Sequence, residues 1–433
     1  MPDLMHHILD AASVAAPQWL SERQAAGRKA WSASALPTRK TEAWKYTSLH
    51  PLNGDFAVAE PNVASKDELG FEHPALGGSK LVFVDGYLRA DLSHMDLPEG
   101  VELIRFADAD AEQAKQIKQQ LGSVADPSGH LFTKFSDAAL QDGIFLNVAA
   151  NTQVAEPIHM VWLTSTREVA FTVNQRLLVV MGTNSHASLV EQFDSVGSGT
   201  AFTNGITELV LEDGAHLLHH RLHLEDGGAM HIGGVHVRLG RDSHLESFHL
   251  ALGSDLKRID VVVNHAGPGA HSTLNGIYLL RGSEHVDYHT CIEHAVPNCT
   301  SDEIFRGVIG DRATAVFNGR IHIHPDAQKT NAQLSNRNLL TSANATINTK
   351  PELEIYADDV QCAHGATVAQ LDPFMLHYLK TRGIEAEEAQ TLLSYGFINE
   401  VVNTIRIDAL RNFLRPLLAS RFATDPRQMR HLV

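Results

Sequence analysis

The sequence predicts a mainly β protein whose core is a right-handed parallel β-helix, or β-solenoid. Between residues 146 and 370 helix signals fade, and short β runs alternate with glycine, asparagine and aspartate. A motif made of a turn, a small residue and a histidine recurs there, with its histidines 30, 28 and 27 residues apart. Strands repeating at a period in the twenties are typical of a solenoid. Aromatic residues are only 6% of the chain, which favours thin stacked layers.

The sequence pattern of residues 1–145 predicts a mixed helical and β cap. Helical spacing of apolar residues and a hairpin signal support this assignment. The predicted elements are helices over 4–16 and 18–31, a strand over 81–84 with an Asp85-Gly86 turn, and a helix over 109–121.

The repeat itself defines the stacked coils of the predicted core. Its four histidines are His186, His216, His244 and His271. Residues 310–314 (GDRAT) resemble a fifth copy after a longer insertion. Because successive residues of a strand point to opposite faces, each coil is expected to bury one face and wet the other.

The strand over residues 217–225 illustrates this alternation. Leu218, Leu222 and Leu224 are predicted to face the core together with His220. The opposite face is predicted to contact water and comprises His219, Arg221, His223 and Glu225.

Residues 371–433 predict a small helical domain. Asp372-Pro373 is an N-cap followed by proline at the first helical position. Two further helices are expected over about residues 386–395, ending near Gly396, and 399–413, with Pro416 ending or kinking the last one.

The net charge of −16 excludes nucleic acid and anionic membrane as main partners. No apolar run is long enough to cross a membrane and no signal peptide is present, which predicts a cytoplasmic protein. The three cysteines agree with a reducing compartment. Five C-terminal arginines suggest either a docking surface for an acidic partner or a solvated helix face: Arg411, Arg415, Arg421, Arg427 and Arg430.

Nucleotide-hydrolysis and acyl-transfer motifs are absent from the sequence. Neither a Walker A loop, a dinucleotide-binding glycine pattern nor a nucleophile elbow occurs. The chain therefore lacks recognisable nucleotide-hydrolysis and acyl-transfer machinery of its own.

Cys362 and His364 are the leading candidates for a binding site. They are two residues apart in a predicted strand, so they share a face and offer sulfur and nitrogen to a metal such as iron. The alternative for Cys362 is a packed small hydrophobic residue.

Two rival metal sites deserve comparison. His322 and His324 form a His-x-His pair like that of cupin-type metal enzymes, but no glutamate follows closely in sequence. A zinc loop is the second rival, since it could use Cys291 and Cys299 with His289 and His294 as ligands. The preferred interpretation is that the two cysteines are ordinary small residues near a loop.

Two groups of residues, one at each end of the chain, form a further pattern. Residues 41–47 read TEAWKYT. The C-terminal group comprises residues 362–368 (CAHGATV), Leu371-Asp372, Tyr378-Leu379, Arg382-Gly383-Ile384, Ala389 and Gly396-Phe397. Together they resemble the N-terminal TE-x-WKYT signature and the C-terminal signature of the SufB/SufD family of iron–sulfur cluster assembly scaffold proteins, and this resemblance implies a protein that is not an enzyme. Gly365 follows the histidine where SufB-type members carry an acidic residue, so the resemblance is to the SufD branch.

The resemblance implies a role as well as a fold. Family members pair with a SufB-like subunit, dock a SufC-like ABC ATPase through the C-terminal helical domain, and hold a nascent iron–sulfur cluster or iron. It implies that His364 and Cys362 contact that transient cargo at the SufB interface, and that no cofactor is tightly bound in the isolated chain. The sequence leaves open whether the isolated chain forms a homodimer.

Overall fold

The computed structural model describes residues 9, 16–62, 64–125, 129–197 and 199–422. The predicted helix over residues 4–16 therefore lies almost entirely outside the described residues, as do Arg427 and Arg430. Seven α-helices are described: α1 (Ser21–Ser32), α2 (Lys66–Leu69), α3 (Ala111–Gln120), α4 (Leu131–Ala138), α5 (Pro373–Thr381), α6 (Ala386–Val402) and α7 (Asp408–Phe422).

The described residues also form twenty strands and four short 3-10 helices. The strands are β1 (Ala57–Val58), β2 (Lys80–Val84), β3 (Tyr87–Leu88), β4 (Val101–Arg105), β5 (Ile144–Val148), β6 (Ile158–Thr164), β7 (Phe171–Met181), β8 (His186–Ser195), β9 (Ala201–Leu211), β10 (His216–His223), β11 (Ala229–Leu239), β12 (His244–Leu252), β13 (Leu256–His265), β14 (His271–Leu280), β15 (His285–His294), β16 (Thr300–Ile309), β17 (Thr314–Ile323), β18 (Asn331–Leu340), β19 (Thr346–Ile355) and β20 (Gln361–Gln370).

Successive strands alternate between two sheets, which confirms the predicted β-solenoid. Sheet A has the order β19-β17-β15-β13-β11-β9-β7-β5-β4, and sheet B has the order β20-β18-β16-β14-β12-β10-β8-β6-β2-β3. From β5 and β6 onward all neighbours in both sheets are parallel, so each coil contributes one strand to each sheet. At the N-terminal end the last pairings, β2 with β3 and β4 with β5, are antiparallel.

The predicted histidine repeat marks the start of four neighbouring strands in sheet B. His216 pairs with His186 and with His244, and His244 pairs with His271. The rings of the first three histidines stack, with centroids 4.3 and 4.5 Å apart. Two residues before each histidine the chain adopts a positive φ, which asparagine, aspartate and glycine tolerate best. Those four positions are Asn184, Gly214, Asp242 and Gly269.

The fifth copy predicted at residues 310–314 is wrong. Thr314 begins β17, which belongs to sheet A. The residue in register with His271 is Thr300, and it is preceded by Asn298 at φ 63°. The turn geometry therefore continues in sheet B, but threonine replaces the histidine, so the residue type no longer reveals the repeat.

The predicted wet face of residues 217–225 is also wrong, because it faces the solenoid interior. His219, Arg221, His223 and Glu225 are all buried, at 2% exposure or less. Arg221 Nη1 and His219 Nε2 lie 2.8 and 3.0 Å from Glu191 Oε1 on the preceding coil. Desolvation opposes ionisation of Glu191, yet Arg221 and His219 lower its pKa to about 2. Pairing between coils thus satisfies the Glu191 carboxylate inside the core.

The leucines on the other face of this strand are buried for a different reason. Leu222 and Leu224 pack under the C-terminal helices, against residues such as Ile398, Val402 and Leu414. Both faces of the strand are therefore covered, one by the interior and one by α6 and α7. The alternation of side chains along a strand therefore does not reveal which face lies inside the solenoid.

The helix boundaries near the C-terminus differ from those predicted. Helix α6 passes through Gly396 to Val402, and α7 begins at Asp408 and contains Pro416. Burial of their apolar faces against sheet B outweighs the local effects of glycine and proline. Of the C-terminal arginines, Arg421 pairs with Glu284 of the solenoid at 2.7 Å, so it fastens α7 to the core.

The N-terminal motif at residues 41–47 is fastened across the outer face of sheet A. The Arg258 guanidinium stacks on the Trp44 ring at 4.2 Å and donates to the Ala43 carbonyl at 2.6 Å. Thr47 Oγ1 donates to Asp287 at 2.5 Å. Arg258 and Asp287 lie on the adjacent strands β13 and β15 and also pair with each other at 2.8 Å, so the motif ties the cap to consecutive coils.

Among the described residues no helix has the length and apolar character needed to cross a membrane.

Acid should destabilise the protein through histidines that are buried in the neutral form. His220 is 1% exposed and neither ring nitrogen has a hydrogen-bond partner. Burial, with a smaller effect of His219, lowers the pKa of His220 to about 3. Its contribution to stability is present above the unfolded pKa of about 6.5 and is lost as the pH falls toward 3.

We expect His220→Leu to reduce this acid sensitivity. Between pH 7.5 and 5.5 the free energy of unfolding should fall by about 1.4 kcal/mol less in the variant than in the wild-type protein. Urea unfolding at both pH values measures the difference. Equal losses in the two proteins would show that His220 is not buried as a neutral group.

Candidate functional site at the C-terminal end of the solenoid

The candidate residues Cys362 and His364 lie on β20, the last strand of sheet B. Cys362 is in register with Ala332, and His364 with Leu334. Both partners are buried core residues that face the interior. Cys362 and His364 therefore continue the inward-facing side of the sheet at the coil where stacking stops, and His364 is exposed because no further coil covers it.

Cys362 is only half exposed, since it packs against the end of the interior core. Burial raises the pKa of the Cys362 thiol, and a backbone hydrogen bond at Ala332 partly opposes the shift. The thiol therefore keeps its proton in the free protein and loses it to a strong base or a bound metal. The structure brings Cys362 and His364 to one face, as predicted, and leaves their assignment as ligands a prediction.

The two strands that end the solenoid differ in their capacity to pair with another chain. Strand β20 has one paired neighbour, β18, and contains no proline along its ten residues. Strand β19 ends sheet A and contains Pro351, which lacks an N–H donor. An unprotected edge strand offers a row of free donors and acceptors, so β20 is the edge competent for pairing.

Large exposed apolar side chains concentrate next to this edge. Most of those found among the described residues fall between Ile355 and Tyr378, which spans the end of β19, β20 and α5. Phe374 is the most exposed of these side chains, at 84%, and no residue of α5 is buried. Apolar patches of this kind mark protein–protein contact sites.

The rival pair His322 and His324 has the acidic partner that sequence spacing failed to reveal. Glu293, on the neighbouring strand β15, pairs in register with His322. Its Oε2 lies 2.7 Å from His322 Nδ1 and 2.9 Å from His324 Nε2. The offset from Glu293 to His322 equals one coil, so the repeat period was the signal that could have found it.

The fold excludes a cupin-type barrel for these histidines, because both sheets are stacked parallel solenoid sheets and cupins are jelly rolls. The cysteine loop is excluded as well. Cys291 lies on the outer face of β15, whereas Cys299 and His294 are buried, and His294 stacks on His265 at 4.4 Å. The two thiols thus lie in separate environments, as the preferred interpretation held.

Comparison with known proteins decides the family. The family model for the SufBD core domain of the SUF iron–sulfur cluster assembly system matches residues 163–397, and the model for the SufBD N-terminal region matches residues 5–160. This chain belongs to the SufB/SufD family. Membership makes it an iron–sulfur cluster assembly protein related to SufD.

Relatives in the SufB/SufD family align over nearly the whole chain. The iron–sulfur cluster assembly protein SufD of Escherichia coli is 30% identical over 91% of both chains. An iron–sulfur cluster assembly SufBD family protein of Synechocystis is 30% identical over 89% of this chain and 87% of its own length. The chloroplastic protein ABCI7 of Arabidopsis thaliana is 28% identical over 88% of this chain and 82% of its own.

The three thiols should react with alkylating agents at very different rates. Burial raises the pKa of Cys291 to about 12, and Cys299 is fully buried. Cys362 is the thiol at the open end of the core. Because thiolate fraction and access set the rate, we expect iodoacetamide to modify Cys362 at least ~10-fold faster than the other two.

Peptide mass spectrometry of the native protein measures this order, and Cys362→Ser serves as the control that lacks the fast site. Faster modification of Cys291 or Cys299 would contradict the burial described for them.

Proposed function

We propose that this chain is a non-catalytic scaffold subunit that builds iron–sulfur clusters together with a SufB-like subunit and passes them to recipient proteins. The observation that carries the proposal is the placement of Cys362 and His364 on one face of the open edge strand β20. Family membership supports a role in iron–sulfur cluster assembly, and the geometry of β20 supports Cys362 and His364 as the site.

The ligand set explains why such a site needs a partner. One thiolate and one imidazole are suitable ligands for iron, but each iron of a cluster is held by four ligands, and sulfide supplies only some of them. Cys362 and His364 therefore provide an incomplete set to the cargo. An opposing subunit completes the ligand set, and separation of the two subunits releases the cargo.

The SufB-like subunit is expected to pair with β20. Strand addition to an open edge uses main-chain hydrogen bonds for affinity and side-chain contacts for specificity. The exposed apolar residues beside the edge, such as Tyr356 and Val368, supply those side-chain contacts. In the isolated chain the same edge is available to a second copy, so the same pairing would give a homodimer.

The SufC-like ABC ATPase is expected to dock on α5. Phe374 and Tyr378 are four residues apart, so they lie on one face of this helix, and both are exposed. An exposed apolar helix face is typical of a docking helix. ATP hydrolysis by the partner would then act next to the β20 edge.

Replacement of His364 by alanine should impair cluster assembly without impairing folding. The side chain is exposed at the end of the core, so its removal leaves no cavity. In the complex co-expressed with SufB-like and SufC-like subunits, we expect iron and acid-labile sulfide to fall at least ~10-fold, as for loss of a metal-site residue. His377→Ala, an exposed histidine on α5, is the matched control.

Thermal unfolding and gel filtration of the complex accompany this measurement. A normal cluster content in an intact complex containing His364→Ala would contradict the assignment of His364.

The docking role of α5 can be tested separately. We expect Phe374→Asp combined with Tyr378→Asp to abolish co-purification of the ATPase, because charges replace the apolar contact. The melting temperature of the isolated chain should stay unchanged, since neither side chain is buried. His377→Asp adds a charge on the same helix and should retain the ATPase. Retention of the ATPase by the double variant would exclude this helix as the docking surface.

A further inference from the structure

A group of three metal-ligating side chains lies on the outer face of sheet A, apart from Cys362 and His364. It consists of Glu293 on β15, His322 on β17, and His324 directly after that strand. The carboxylate oxygen Oε2 lies 2.7 and 2.9 Å from the two imidazole nitrogens, and the three ligand atoms all lie within 4.8 Å of one another. This trio is referred to below as the outer triad.

The solenoid backbone holds the outer triad in place. Parallel pairing puts Glu293 directly beside His322. His322 and His324 are two residues apart and share a face, with ring centroids 4.4 Å apart. Sites built on paired strands are held more precisely than sites on loops.

The spacing of the ligand atoms suits a metal ion. Around an ion with bonds of about 2.1 Å, ligand atoms are about 3.0 to 3.4 Å apart in octahedral or tetrahedral geometry. The two oxygen-to-nitrogen distances, 2.7 and 2.9 Å, need to lengthen by only a few tenths of an ångström to match this spacing.

Neighbouring groups orient the carboxylate and leave the ligand atom available. Arg320 donates to the other oxygen, Oε1, at 2.8 Å, and the Cys291 thiol lies 3.4 Å from that same oxygen. Outer partners of this kind fix the orientation of a metal ligand. The side chains of Glu293, His322 and His324 are 21%, 21% and 41% exposed, so an ion has access from solvent.

Charge around the outer triad is compatible with a cation. Glu354 lies 3.5 Å from Arg320 and offsets its positive charge. Glu293, Arg320 and Glu354 also line an open groove of about 720 Å³ between the cap and sheet A. This groove gives solvent access to the Glu293 side of the outer triad.

We propose that Glu293, His322 and His324 bind one divalent first-row transition-metal ion, such as Zn(II) or Fe(II). Two imidazole nitrogens and one carboxylate oxygen form a set suited to these ions, with further positions open to solvent. The site is complete within a single chain, so it is independent of a partner subunit and of cluster assembly at His364.

Titration of the isolated, chelator-treated chain with Zn(II) by calorimetry, and with Co(II) by visible absorption, tests the proposal. We expect one tight Zn(II) site and ligand-field absorption from Co(II). Loss of a direct ligand should weaken binding at least ~100-fold in Glu293→Gln, His322→Ala and His324→Ala, since loss of an outer partner alone costs 10–100-fold. Zn(II) should raise the melting temperature of the wild-type protein but not of these three variants.

The stacked pair His186 and His216 provides a matched control. Its rings are 4.3 Å apart, as close as those of the outer triad, but the pair belongs to no three-ligand group among the described residues. His186→Ala with His216→Ala should therefore bind Zn(II) like the wild-type protein, and His364→Ala should as well. Circular dichroism checks that each variant is folded.

The proposal is overturned if the wild-type chain shows no tight site, if the three variants bind Zn(II) as the wild-type chain does, or if the control pair causes an equal loss. Each of these results would leave the outer triad as a hydrogen-bonded cluster that only supports the surface.

Discussion

Parallel pairing in exact register between alternate strands is the constraint on which this molecule depends. Every coil satisfies its backbone groups by pairing with the coil before and the coil after it. Side chains at equivalent positions are consequently stacked along the solenoid. The register produces the histidine column, the pairing of Glu191 with residues of the next coil, and the meeting of Glu293 with His322. It also leaves β20 unpaired on one side, because the stack must end somewhere.

The interior shows how such a register accommodates polar residues. Lys257, fully buried, donates to the carbonyls of Glu225 and Leu252 at 2.6 and 2.7 Å and lies 3.3 Å from the Glu225 carboxylate. A buried cation without partners would cost several kcal/mol. Stacked coils bring such partners together at fixed heights, so charged pairs replace part of the apolar core. The low aromatic content of the chain is consistent with a core of this kind.

Sequence reasoning identified the solenoid because the turn chemistry repeats visibly. A positive φ favours glycine, asparagine or aspartate at the turn, and such residues recur at this turn in successive coils until Lys329 takes the position before β18. The sequence did not predict features that depend on contacts between residues distant in the chain. The inward direction of His219 and Arg221 depends on α6 and α7 covering the other face, and the partner of His322 lies a full coil away. The shared face of Cys362 and His364 could be predicted because both residues lie two positions apart on a single strand.

The difference between the two terminal strands sets a limit on assembly. Pro351 interrupts the open edge of sheet A, and the terminal strands at the opposite end of the stack, β3 and β4, are only two and five residues long. Strand β20, with ten residues and no proline, is therefore the longest uninterrupted edge among the described residues. If a complementary chain pairs with that edge, the assembly has no second edge of equal length from which a fibre could grow.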